Sequence, residues 1–133
     1  MKCLLDTSAL IWTLTDEDRL SRPAREMISD TSVIKTVSVV SLYEMAIKMA
    51  MKKLTIQGIK LSDLPALLYS NGVELIVLEP FETVALEKLP LKDDHRDPFD
   101  RMLICQAIFR NLTLLSSDTK IVQYREHGLS LLW

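Results

Sequence analysis

Five carboxylates sit where a chain could use them for chemistry. Asp97 and Asp100 bracket Pro98 and Phe99 in the stretch HRDPFDR, while Asp6 ends the short apolar run KCLL. Glu44 lies in SLYEMAIK, and Asp118 follows LTLLSS. Each has a mechanical explanation. Asp97 before Pro98 is a sound N-cap, and Asp100 three residues on faces a helix dipole. Ser41 and Glu44 have the spacing of a capping box, and Glu44 is one turn from Lys48. Asp118 is placed to cap a helix from Thr119. Asp6 is harder to explain this way, because Thr7 and Ser8 are able to cap the next helix without it. Gathered at one place, three or four carboxylates repel one another until some take up a proton or a cation. Mg2+ prefers carboxylate oxygens and water, and Mn2+ accepts the same set; zinc does not favour it. An ion so held activates water and binds a phosphoryl oxygen. The chemistry expected is metal-assisted hydrolysis of a phosphate ester.

The elements that must position these residues alternate in type. Short apolar or β-branched runs at Lys2–Leu5, Val33–Val39, Val73–Leu78, Leu112–Ser116 and Leu129–Trp133 predict strands. Between them, helical spacing or start signals mark 7–14, 21–29, 41–53, 61–72, 80–89, 98–110 and 119–128. Asn71-Gly72 is a stop signal, and Pro90–Asp97 is the most polar segment, a loop. Strands of this kind between helices imply a mostly parallel sheet covered on both faces. Function in such sheets lies beyond the carboxyl ends of the strands. The five acids all fall just after strands or at helix starts.

The 133 residues are 48% hydrophobic, enough for one domain spanning 1–133 with a full core. Sixteen basic residues against eighteen acidic ones give a net charge of −2, which excludes a general nucleic-acid coat but not a local patch. Cys3 and Cys105 each sit among apolar neighbours and read as buried hydrophobes in a reducing compartment. Met1–Leu5 reaches Asp6 too soon for a signal peptide, and no apolar run is long enough to span a membrane. A cytoplasmic protein is expected.

LLDTSALIW, SLYEMAIK, HRDPFDRMLICQA and LLSSD, in that order over nearly the whole chain, resemble a PIN-domain ribonuclease, and most nearly the VapC-type toxin of type II toxin–antitoxin pairs. The resemblance implies an α/β fold of three layers, α/β/α. It implies an acidic Mg2+ or Mn2+ site that cuts RNA, an antitoxin partner and a homodimer. By position, Asp6, Glu44, Asp100 and Asp118 match the family's four acids, with Ser116 where threonine is frequent. Asp97 then serves as cap, and Thr7, Ser8 and Ser116 as supporting hydroxyls. Arg96, Arg101, Lys48 and Lys120 are candidates for holding RNA phosphates. Trp12, Tyr43 and Phe99 are candidates for stacking a base, although core packing suits Trp12 and Phe99 better. Met45, Met49 and Met51 are placed to line an antitoxin groove, with core packing the simpler account for two of them. His95, a loop histidine, is a weaker candidate for a general acid. A PIN-like binding module without catalysis is the alternative. A signalling receiver domain fits less well, because Asp6 has no acidic neighbour and VELIVL lacks a terminal aspartate.

Overall fold

The computed structural model describes residues 1–133. Five strands, β1 (Lys2–Leu5), β2 (Ile34–Ser38), β3 (Val73–Ile76), β4 (Thr113–Leu115) and β5 (Ser130–Leu132), form one sheet in the order β3-β2-β1-β4-β5. Every pairing is parallel, so the sheet is wholly rather than mostly so. β1 is central, with Leu5 opposite Val37 on one side and Leu115 on the other.

Alternation along the strands divides the core. Cys3, Leu5, Val37 and Leu115 point into one cluster with Ala9, Leu10, Ala24, Met45 and Leu64. Leu4 and Leu114 point into the other, with Leu103, Ile104, Ile121 and Tyr124. Side chains of a strand alternate between faces, so the consecutive apolar residues Cys3–Leu5 of β1 and Leu114–Leu115 of β4 fill both layers of the core. Helices α1 (Thr7–Thr15), α2 (Arg22–Ser29), α3 (Val39–Ala50), α4 (Leu64–Ser70), α5 (Pro80–Ala85) and α6 (Pro98–Arg110) supply the outer layers. This is the three-layer arrangement the sequence leads one to expect.

Several boundaries differ from expectation. α3 starts at Val39, not Ser41, and its cap is Ser38, whose hydroxyl accepts from the Val40 N–H. Ser41 is therefore inside the helix, and the capping box with Glu44 does not form. α1 is capped by Asp6, which accepts from the Ala9 N–H at 2.7 Å; Thr7 and Ser8 are its first residues, not its caps. The segment after Asp118 is a 3-10 helix, Thr119–His127. Other signals hold: Asp97 caps α6, Asp118 caps the 3-10 helix, and Gly72 takes a left-handed φ of 71° just past α4.

Candidate functional site

Topology gathers the acids. Asp6 directly follows β1, and Ser116 and Asp118 follow its neighbour β4. α3 follows β2, the neighbour on the other side. α6 leads into β4 and must run back across the sheet, which puts its N-terminus, with Asp97 and Asp100, at the same carboxyl edge. Glu44 and Asp118 lie near enough to Asp6 and Asp100 for their charges to act on both carboxyls.

Their environments are unequal. Glu44 is buried and well partnered: Thr7 Oγ1 donates to its Oε1 at 2.7 Å, and Lys48 Nζ donates to Oε2 at 2.6 Å. Asp6 is also buried, and burial pushes its carboxyl up to about 6. Hydrogen bonds from the Ser116 hydroxyl and the Ala9 N–H hold the shift back, while the charges of Glu44 and Asp118 add to it. Asp100 is pushed up to about 7, first by burial and then by the charges of Asp97, Asp6, Glu44 and Asp118. Asp97 spends one oxygen on the Asp100 N–H at 2.9 Å and lies exposed. Ser116 accepts from the Asp118 N–H at 3.2 Å. Thr7 is buried beside Glu44 and Ser41, whereas Ser8 is exposed.

The cationic candidates divide. Arg101 is a correction: it is buried and holds the polar loop, not RNA. Its guanidinium donates to the carbonyls of Leu89 and Pro90, each at 2.9 Å, and to the Tyr124 hydroxyl at 3.1 Å. Lys48 is half exposed and paired with Glu44. Arg96 is exposed, with Asp93 at 3.7 Å, and Lys120 is exposed at the start of the 3-10 helix. Trp12 packs on Trp133 with Arg19 over its ring, so it is not free to stack a base. Tyr43 is exposed and meets Phe99 edge-on at 5.8 Å, beside the start of α6. Met45 is fully buried, Met49 packs against the same core, and only Met51 is exposed.

His95 is the residue that sequence reasoning undervalued. It is buried at the end of the polar loop, with Nε2 3.5 Å from Asp100 Oδ2 and 3.7 Å from Asp118 Oδ2. One ligand atom each from His95, Asp100 and Asp118 lie within 4.8 Å of one another. Nothing in the local sequence announces this, because the burial comes from Tyr124 and the loop anchored by Arg101. The only available signal was the adjacency of a histidine to DPFD.

These donors fit a divalent cation. The carboxyls of Asp6 and Asp100 are raised first by burial and then by neighbouring carboxylate charge, which a cation relieves, and a buried nitrogen of His95, beside Asp100 and Asp118, has no hydrogen-bond partner. Oxygen ligands predominate, as Mg2+ and Mn2+ prefer.

Comparison with solved structures places the fold. VapBC2 from Rickettsia felis, bound to a DNA fragment from its promoter, aligns with a TM-score of 0.66 and 17% identity, over 99% of this chain and 98% of that one. VapBC-1 from nontypeable Haemophilus influenzae aligns at 0.61 with 18% identity, over 99% and 97%. VapBC-5 from Mycobacterium tuberculosis, a member of the VapBC family of toxin–antitoxin systems, aligns at 0.59 with 15% identity, over 98% and 95%. No curated protein matches the sequence. The PIN domain family matches residues 3–126, nearly the full length, and the chain belongs to that family.

Proposed function

We propose that this protein is a metal-dependent endoribonuclease and the toxin of a type II toxin–antitoxin pair. The observation that carries this is the pair of raised carboxyls, Asp6 and Asp100, gathered with Asp118 at the carboxyl edge of the sheet. A Mg2+ or Mn2+ ion held there supplies a water of lowered pKa and a charge to offset the phosphoryl oxygens. The protein's own part is positional. Asp6 is held by the Ala9 N–H, Asp118 through Ser116, and Asp100 through the cap at Asp97. Glu44, fixed by Thr7 and Lys48, adds a fourth carboxylate to the set. Exposed Arg96 and Lys120, near either side of the cleft in sequence, are the cations for the RNA backbone, and Tyr43 is the aromatic face for a base.

The partner follows from the family and from the fold neighbours, which are toxin–antitoxin structures. A small antitoxin would hold this chain inactive, and a second copy would complete a homodimer. No helix is long and apolar enough to cross a membrane. The test is incubation of the purified protein with structured RNA, with Mg2+ and with chelator, mapping the cut ends. Cleavage with Mg2+ and none with chelator is expected, together with growth arrest when the chain is expressed without a partner. An inert protein under both conditions would leave a PIN-like binding module.

A further inference from the structure

We propose that His95 is itself a ligand of the cation, through Nε2, and that it biases the site toward Mn2+ over Mg2+. The inference rests on the metal reading above and goes beyond its carboxylate set.

Three observations carry it. His95 Nε2 is buried and has no hydrogen-bond partner. Native interiors rarely leave such an atom unpaired, and an absent ion is one of the few explanations. The atom is aimed at Asp100 Oδ2 and Asp118 Oδ2, at 3.5 and 3.7 Å, too far for either to be its hydrogen bond. Ligand atoms around an octahedral ion with bonds of about 2.1 Å stand about 3 Å apart when adjacent and about 4.2 Å when opposite. The two observed spacings fall between these.

The third observation concerns the proton on the ring. A ligating Nε2 must offer its lone pair, so the proton must sit on Nδ1. His95 Nδ1 lies 3.0 Å from the Tyr124 hydroxyl oxygen. That oxygen also accepts from Arg101 at 3.1 Å, and the hydroxyl donates to the His95 carbonyl at 3.4 Å. A tyrosine hydroxyl in this setting has one proton to give and two lone pairs to fill. All three contacts are used at once only if Nδ1 is a donor. The other tautomer turns the tyrosine proton to Nδ1 and leaves the carbonyl contact empty. Arg101 and Tyr124 thus prepare the tautomer a metal ligand needs, the usual role of residues behind a ligating histidine. Arg101 also pins the loop that carries the ring, through the carbonyls of Leu89 and Pro90.

Mg2+ and Mn2+ both favour oxygen ligands, but Mn2+, a first-row transition ion, accepts an imidazole nitrogen more readily than the harder, more tightly hydrated Mg2+. A nitrogen ligand among carboxylates therefore widens the gap between Mn2+ and Mg2+ affinity. Loss of the ligand should weaken Mn2+ binding by at least the roughly 10-fold that losing a residue behind a ligand costs, and Mg2+ binding by less.

The chain has two histidines, which makes a direct test simple. The metal-free protein, prepared with natural-abundance or 15N-labelled histidine, is loaded with Mn2+ and read by electron spin-echo EPR. Nitrogen modulation that changes with the label is expected, retained in His127→Gln and lost in His95→Gln. Melting with Mn2+ and with Mg2+ supplies the selectivity, and the metal-free melting curve shows whether His95→Gln is folded. If that variant is unfolded, the labelled wild type and His127→Gln still decide the point. Bound Mn2+ with no histidine modulation, or modulation lost in His127→Gln, overturns the role of His95 while leaving a carboxylate metal site intact. No Mn2+ binding at all overturns the metal reading and this inference with it.

Discussion

Two buried carboxyl regions of this molecule have opposite electrostatics. Glu82, on α5, is completely buried, yet its carboxyl is held below the ordinary range. Burial pushes it up, but the Arg110 guanidinium, the Glu79 N–H and the Gln106 amide together more than offset that. Arg110 Nη2 and Gln106 Nε2 both donate to Oε2, at 2.9 and 3.1 Å, and Ser38 completes the chain by donating to Gln106 at 2.5 Å. At the other end of α6, Asp6 is buried and Asp100 partly buried among further carboxyls, and both are raised. One carboxylate is fully answered by its own chain. The other set is answered only in part, and what it lacks is positive charge. Under the proposed function, the difference separates a carboxylate that holds helices together from carboxylates kept for a cation.

The comparison is broken most severely at Asp100. Asp100→Asn should abolish RNA cleavage, by more than the roughly 10–100-fold that loss of a supporting residue costs. Urea unfolding of the metal-free variant should show stability equal to or above wild type, because one repelling charge is gone. Glu82→Ala should do the reverse. It strands Arg110 and Gln106 and should cost about 3 kcal/mol in urea unfolding, while the folded fraction still cleaves. If Asp100→Asn unfolds the protein and Glu82→Ala is neutral, the two regions have been assigned backwards.

pH sharpens the contrast. The folded-state pKa values of Asp6 and Asp100 are raised to about 6 and about 7, so between about pH 4 and pH 7 the metal-free folded chain holds more protons than the unfolded one. The stability these two groups contribute is complete below about pH 4 and is lost as pH rises through 6 and 7. Glu82 has the opposite sign, with stability present above its unfolded value and lost on acidification. Thermal melts from pH 5 to 8 should show wild-type stability falling more steeply with pH than that of Asp6→Asn plus Asp100→Asn. Equal slopes would remove the strained pair. The smallest effect belongs to Asp97→Asn, which keeps a capping side chain. It should lower stability by about 1 kcal/mol or less in urea and retain partial cleavage.

Much of this was legible in the sequence because it rests on local pattern. Continuous apolar runs marked the five strands, and their alternation with helices fixed a parallel sheet. Parallel topology then predicted that Asp6, Glu44, Asp100 and Asp118 would share an edge. Caps were less legible where hydroxyl residues crowd together. Asp6, Thr7 and Ser8 are all able to cap α1, and the register that ends β1 at Leu5, opposite Leu115, selects Asp6. β2 likewise continues to Ser38, opposite Ile76, and so puts the cap of α3 three residues before Ser41. His95 and Arg101 were not legible, because their partners are distant in the chain. Tyr124 lies 29 residues beyond His95, and Arg101 reaches back 12 residues to Leu89. A flanking arginine and a loop histidine look like surface residues until tertiary structure buries them.

The central claim is that the partly answered carboxyls are a divalent-cation site. Calorimetric titration of metal-free protein with Mn2+ near pH 6.5, in two buffers of different ionisation enthalpy, tests it most directly. The account predicts saturable binding that releases protons, since the cation displaces those held by Asp6 and Asp100, and Asp100→Asn should lose most of that binding. A folded wild type that takes up no Mn2+, or an Asp100→Asn variant that binds it equally well with the same proton release, would contradict it.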